Sequence, residues 1–171
     1  ARVRAELGTQ ECIVLRTCNR IEIYVADVSG ALSGEAVRTL LCKPIEGADA
    51  LPAAHTYHCN GGDAVAHLFS VASGIDSMIL GEHEIMAQVR SALAAARVAR
   101  TAGRLLSRLF QHALRTGKRA RRETAISAGV FSIGQCVTRL AQQTVGRLSG
   151  KHLLLIGAGQ VAKSVGKHML A

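Results

Sequence analysis

The sequence predicts an α/β fold in two parts: a strand–loop–strand unit leading into a mainly helical domain, then the first βα unit of a second domain. Three observations predict it. Ile21, Ile23 and Val25 alternate with Glu22 and Tyr24, the period of a half-buried strand. Leu105, Leu106, Leu109, Phe110, Ala113 and Leu114 recur at helical spacing. The apolar run Leu153-Leu-Leu-Ile156 ends in the turn Gly157-Ala-Gly159. Of the 171 residues, 49% are hydrophobic but only 3% aromatic, which favours an aliphatic, Ala- and Leu-rich helical interior.

Taken in order, Cys12 to Leu15 reads as a short buried strand, residues 16–20 as a polar break, and Ile21 to Val25 as the second strand. Ser33 to about Cys42 has the Ser-x-Glu start and the apolar spacing of a short amphipathic helix. Pro44 to Ala54 is a loop, and His55 to Cys59 a strand ended by Asn60-Gly61-Gly62. Asp63 is a good N-cap for a helix carrying Ala64, His67, Leu68 and Val71, broken at Gly74. A second long helix starts near Ser77 or Glu84 and runs to about Arg100, and Gly103 separates it from a third. The domain boundary falls at 126/127. Ser127 to Gln143 then supplies a helix leading into the second domain.

The net charge of +9 suits a polyanionic partner and equally a solvated basic surface. Five cysteines without a CxxC pair point to a reducing compartment rather than a disulfide framework. No apolar run approaches the length of a membrane span.

Cys18 stands between Arg16 and Arg20 in a strand-end loop. Positive charge stabilises a thiolate, the reactive form, so Cys18 is a candidate nucleophile; the alternative is a small buried hydrophobe. His55, His58, Cys59 and His67 are close in sequence, yet their spacing fits no closed tetrahedral template, and no metal is expected. Arg115, Lys118, Arg119, Arg121 and Arg122 spread around a helix end, open to phosphate contact or to interdomain and solvent roles. Gly157, Ala158, Gly159, Gln160, Val161 and Ala162 follow an apolar strand and open a helix, the context of a dinucleotide-binding, Rossmann-type turn.

Four segments together resemble the glutamyl-tRNA reductase family: Thr17-Cys-Asn-Arg-Ile-Glu-Ile-Tyr24, Ala64 to Glu82, Gly117 to Thr124 with Ser127 to Ser132, and Leu153 to Gly159. The resemblance runs from about residue 11 to the end. It implies an NADPH-dependent oxidoreductase that converts glutamyl-tRNA to glutamate-1-semialdehyde through a cysteine thioester, opening five-carbon tetrapyrrole synthesis. It implies that Cys18 is the nucleophile and that His67 acts beside it as a proton carrier, a core role for His67 being the alternative. Thr17, Asn19, Arg20, Ser77, Glu82, His83, Glu84 and Gln88 would line the glutamyl site. Arg20 would grip the substrate carboxylate, or else make a surface salt bridge with Glu22.

Two departures stand out. The family's usual Glu-Pro-Gln or Glu-Gly-Gln reads Glu82-His83-Glu84 here, which adds a negative charge beside a glutamate substrate. A Gly-x-x-His-x-x-(Ala/Ser)-Pro-like N-terminal segment and the C-terminal dimerisation helices have no counterpart, so the chain is expected to be part of a longer protein. That parent would be a homodimer, would meet a downstream aminomutase, and would work in the cytoplasm, or in a plastid-type organelle if a leader was removed.

Overall fold

A computed structural model describes residues 2–17, 19–27, 32–42, 53–82, 84–128 and 133–170. The elements are α1 (Arg2–Leu7), β1 (Glu11–Arg16), β2 (Ile21–Ala26), α2 (Gly34–Cys42), α3 (Gly61–Ser73), α4 (Glu84–Val98), α5 (Arg104–Glu123), α6 (Ile133–Val145) and α7 (Gln160–Met169). The chain is thus α-rich, with one two-stranded antiparallel sheet among the described residues. In that sheet Arg16 pairs with Ile21 and Leu15 with Glu22.

The hairpin has the predicted period but the opposite sense. Glu22, Tyr24 and Ala26 face inward, whereas Ile21 is 54% exposed. Two contacts reverse the expectation. The Tyr24 ring meets Phe110 edge to face at 5.2 Å, and donors from other elements satisfy the Glu22 carboxylate.

The helix α5 is central, packing on α3, α4 and both strands. Ile13, Leu15, Leu68, Val71, Val89 and Phe110 are fully buried where these elements meet. Gly117 lets α5 close on α3, because an added Cβ would lie 2.4 Å from the Ala72 carbonyl oxygen. The start of α5 is held by β1: the Glu11 carboxylate accepts from the Leu105 N–H at 3.0 Å and the Leu106 N–H at 2.7 Å. A carboxylate there satisfies otherwise unpaired amides and complements the helix dipole. It needs Gly103, where a Cβ would meet that carboxyl carbon at 2.4 Å.

Several expected elements differ. The Asp63 cap lies inside α3, whose N-cap is Asn60, and Gly74 ends the helix with φ of 80° as expected. The segment around His55–Cys59 is a 3-10 turn (Ala53–His55) followed by irregular backbone, with no strand paired to it among the described residues. Leu105 turns outward from the α5 stripe. α6 begins at Ile133, with residues 129–132 outside the described set, as is most of the predicted loop 44–54. The predicted strand at 153–156 has no ladder partner among the described residues, and Leu154 and Ile156 are 83% and 92% exposed. A strand is defined by its pairing, so the expected βα unit is represented among the described residues by its helix, α7, and not by a paired strand. α1 has no counterpart in the sequence reading.

Candidate active site

The hairpin end is organised by Thr17. Its hydroxyl donates to the Arg20 carbonyl at 3.1 Å and accepts from the Asn19 and Arg20 amides at 3.2 and 3.0 Å. The Thr17 amide also donates to the Arg20 carbonyl, at 2.9 Å. Thr17 therefore shapes the loop, and Asn19 is exposed on it. Cys18 and His83 lie outside the described residues.

Below this loop, Glu22 gathers side chains from three parts of the chain. Its Oε2 accepts from the Tyr24 hydroxyl at 2.5 Å. Its Oε1 accepts from the Tyr57 hydroxyl at 2.7 Å and lies 2.9 Å from His67 Nε2. Arg20 Nε is 3.0 Å from the same oxygen without the alignment of a hydrogen bond, so that contact is one of charge. Glu22 itself is 7% exposed. Burial pushes its carboxyl up, but hydrogen bonds from Tyr24, Tyr57 and His67, with the His67 charge, outweigh this and leave it below the usual carboxylate range. The Tyr24 and Tyr57 phenols are both pushed up, by burial first and then by the Glu22 charge and hydrogen bond.

Arg20 reaches on to the loop after α3. Its Nη1 donates to Asp76 Oδ2 at 2.9 Å, and its Nη2 donates to the Asp76 carbonyl. Asp76 Oδ2 also lies 3.5 Å from His67 Nδ1. Arg20, Glu22, Tyr57, His67 and Asp76 thus form one polar cluster, which places Arg20 and His67 together. The surface salt bridge considered for Arg20 and Glu22 is a largely buried contact inside that cluster.

The loop from Gly74 to Glu82 is pinned at its base and from behind. The Gly81 amide donates to the Gly74 carbonyl at 2.9 Å, where a Cβ on Gly74 would lie 3.0 Å from Gly81 Cα. Arg121 of α5 donates to the carbonyls of Ala72 at 3.1 Å and Glu82 at 2.7 Å. Of the basic stretch, then, Arg121 is an internal strut, Arg119 and Arg122 pair with Glu123, and Arg115 and Lys118 are exposed.

Ser77 is half-buried on this loop and Glu82 is buried, its carboxyl raised by burial and by the charge of Glu84, against the opposing charge of Arg121. Glu84 is exposed in the first turn of α4. The Gln88 Oε1 is buried with no hydrogen-bond partner among the described residues. Among those residues no group of three or more His, Cys, Asp or Glu is arranged to hold a metal, and no helix is long and apolar enough to cross a membrane.

This assembly sits inside a recognisable family pattern. The family described as glutamyl-tRNAGlu reductase, N-terminal domain, matches residues 1–124. The chain belongs to the glutamyl-tRNA reductase family. It is 39% identical to the glutamyl-tRNA reductase of Desulforudis audaxviator, over 96% of this chain and 36% of that one. It is 38% identical to that of Cenarchaeum symbiosum, over 96% and 40%. The solved glutamyl-tRNA reductase from Methanopyrus kandleri superposes with a TM-score of 0.65 at 34% identity, covering 99% of this chain and 39% of that one. The chain therefore spans well under half the length of these relatives. The family match begins at residue 1, so α1 falls within it, ahead of residue 11, where the resemblance becomes legible.

Glu22, Tyr57 and Asp76 escaped assignment from sequence. The signal for Glu22 was a carboxylate between two strand residues of an otherwise apolar run. Tyr57 carried no local signal, since its partners are 35 and 10 residues away.

Proposed function

We propose that this chain is the acyl-transfer part of an NADPH-dependent reductase that converts glutamyl-tRNA to glutamate-1-semialdehyde, the first step of five-carbon tetrapyrrole synthesis. The supporting observation is the Glu22-centred cluster, which brings Arg20 from the Cys18-bearing loop against His67 and Asp76. In this reading the Cys18 thiolate attacks the ester carbonyl. A C–S bond forms, the C–O bond to the tRNA 3′ end breaks, and the leaving oxygen is protonated. His67 takes the thiol proton and returns it to that oxygen. Each Arg20 terminal nitrogen has a second N–H with no partner among the described residues, and in this reading that pair takes the substrate side-chain carboxylate. Ser77, Glu82 and Gln88 present polar groups from the pinned loop and from α4. Glu84 and His83 modulate the local charge.

The cofactor turn fits a pyrophosphate in part. Gly157 has φ of 116°, which glycine permits, and a Cβ on Gly157 or Gly159 would meet nothing within 4 Å. Gly159 caps α7, so the amides of Gln160, Val161 and Ala162 head a helix N-terminus beside it. Gly157 to Ala162 would hold NADPH, whose chemistry is hydride delivery to the thioester carbon.

A non-catalytic relative that binds tRNA is the second reading. One observation favours it: both terminal nitrogens of Arg20 already contact Asp76. The two separate in one experiment. Incubated with radiolabelled glutamyl-tRNA without NADPH and quenched in acid, the full-length protein is expected to retain near-stoichiometric label, absent in Cys18→Ser. An unlabelled wild-type protein that still binds the tRNA would establish the second reading instead.

A further inference from the structure

We propose that Glu22 and Tyr57 are positioning residues that hold His67 as the Nε2–H tautomer, leaving Nδ1 as the nitrogen that exchanges protons. Only the role of that exchange in acyl transfer rests on the function proposed above.

Protons converge on one oxygen of Glu22. Ionised Glu22 is acceptor-only. Its Oε1 already receives the Tyr57 hydroxyl proton at 2.7 Å. A bare Nε2 at 2.9 Å from that oxygen would set two lone pairs against each other, so Nε2 carries the hydrogen. The Tyr57 oxygen, 3.2 Å from Nε2, can then act only as a second acceptor for it, since its own proton is used on Glu22. Stacked edge to face on the imidazole at 5.2 Å, the Tyr57 ring limits rotation that would exchange the two nitrogens.

The two edges of the ring also differ in surroundings. Nε2 faces a carboxylate whose side chain is 6% exposed. Nδ1 faces Asp76, whose side chain is 46% exposed, at 3.5 Å, beyond hydrogen-bond distance. Proton transfer at Nε2 would break the buried contact to Glu22. Transfer at Nδ1 breaks no hydrogen bond among the described residues, and the arriving proton creates an imidazolium between two carboxylates. The ring is thereby oriented through one nitrogen and used through the other, the division of labour that fixes a tautomer in many histidine sites.

The test is ¹⁵N NMR of histidine-labelled protein, with His67 assigned by the signals lost in His67→Gln. At a pH where the ring is neutral, Nε2 is expected to be pyrrole-like and Nδ1 pyridine-like. The reverse pattern, or an even mixture, overturns the proposal. Glu22→Gln retains an acceptor for Nε2–H and should keep the tautomer, whereas Glu22→Leu should lose it; loss in Glu22→Gln as well would count against the proposal.

Tyr57→Phe removes only a hydroxyl from a residue that is 56% exposed, so it keeps the test open if Glu22→Leu does not fold. In this variant the minor tautomer should rise, and single-turnover labelling of Cys18 should slow roughly tenfold with KM unchanged within about twofold. An unchanged tautomer ratio and rate would exclude Tyr57 from the device. If wild-type protein takes no label while the Nε2–H pattern holds, it is the acyl-transfer reading that fails.

Discussion

A carboxylate inside a two-stranded ribbon has to be held by donors or it unfolds the ribbon, and Glu22 shows how closely the two requirements are met. Tyr24 supplies a donor from the same strand two residues on, so strand geometry alone delivers it; Tyr57 and His67 supply the others from distant segments. Because the folded carboxyl is held below its ordinary value of 4.5, its contribution to stability is present above that pH and lost as pH falls through the lower folded value. Glu22→Gln should therefore be less stable than the parent at pH 7 by roughly 1–3 kcal/mol, the cost of leaving buried donors poorly paired. The gap should narrow as pH falls below about 4.5, where the unfolded chain's carboxyl takes up its proton before the folded one does. Urea titrations at pH 7 and pH 3.5 measure it, and a gap that stays constant would show that the charge of Glu22 is not what the fold uses.

Between helices the decisive groups are small. Gly117 sits in the interior of α5, where alanine is ordinarily better by about 1 kcal/mol. Here the new methyl would fall 2.4 Å from the Ala72 carbonyl oxygen, backbone of another helix that cannot swing aside. Gly117→Ala should cost about 1–3 kcal/mol by forcing α5 off α3. Gly62, in the first turn of α3, has open space around its Cβ position, so Gly62→Ala should gain about 0.4–1 kcal/mol. Opposite signs for one chemical change, read from urea midpoints, would locate the close crossing; equal signs would deny it.

The same contrast explains what the sequence disclosed. The α5 stripe, the Gly74 stop and the Ser33-led α2, in which the Ser33 hydroxyl accepts from the Ala36 amide at 3.2 Å, are local patterns and were legible. The inward sense of β2 was not, because it depends on Tyr57 and His67 arriving from elsewhere. Nor was the strut role of Arg121, whose acceptors lie 49 and 39 residues away.

At the scale of the molecule the buried residues are unevenly placed. The core cluster runs from Ile13 to Ala113, all within the matched residues 1–124. Beyond Thr124 the buried positions among the described residues are Gly134 and Val165, where α6 and α7 pack on each other. Gly134 makes that contact close, since a Cβ there would lie 2.7 Å from the Ser164 carbonyl oxygen. Two helices sharing so little buried surface do not repay the entropy of ordering themselves to the degree that the hairpin and α3 to α5 do.

Hydrogen exchange should therefore divide the protein near the proposed 126/127 boundary. Amides of β1, α3, α4 and α5 should exchange together and slowest, through global unfolding. Those of α6 and α7 should exchange at least about a hundredfold faster, a local opening some 2.7 kcal/mol easier at 1.36 kcal/mol per decade. Mass spectrometry of the exchanging peptides reads both groups in one experiment. Matched protection on the two sides of residue 126 would mean that the chain folds as one cooperative unit, and that the boundary marks a change of family pattern rather than of stability.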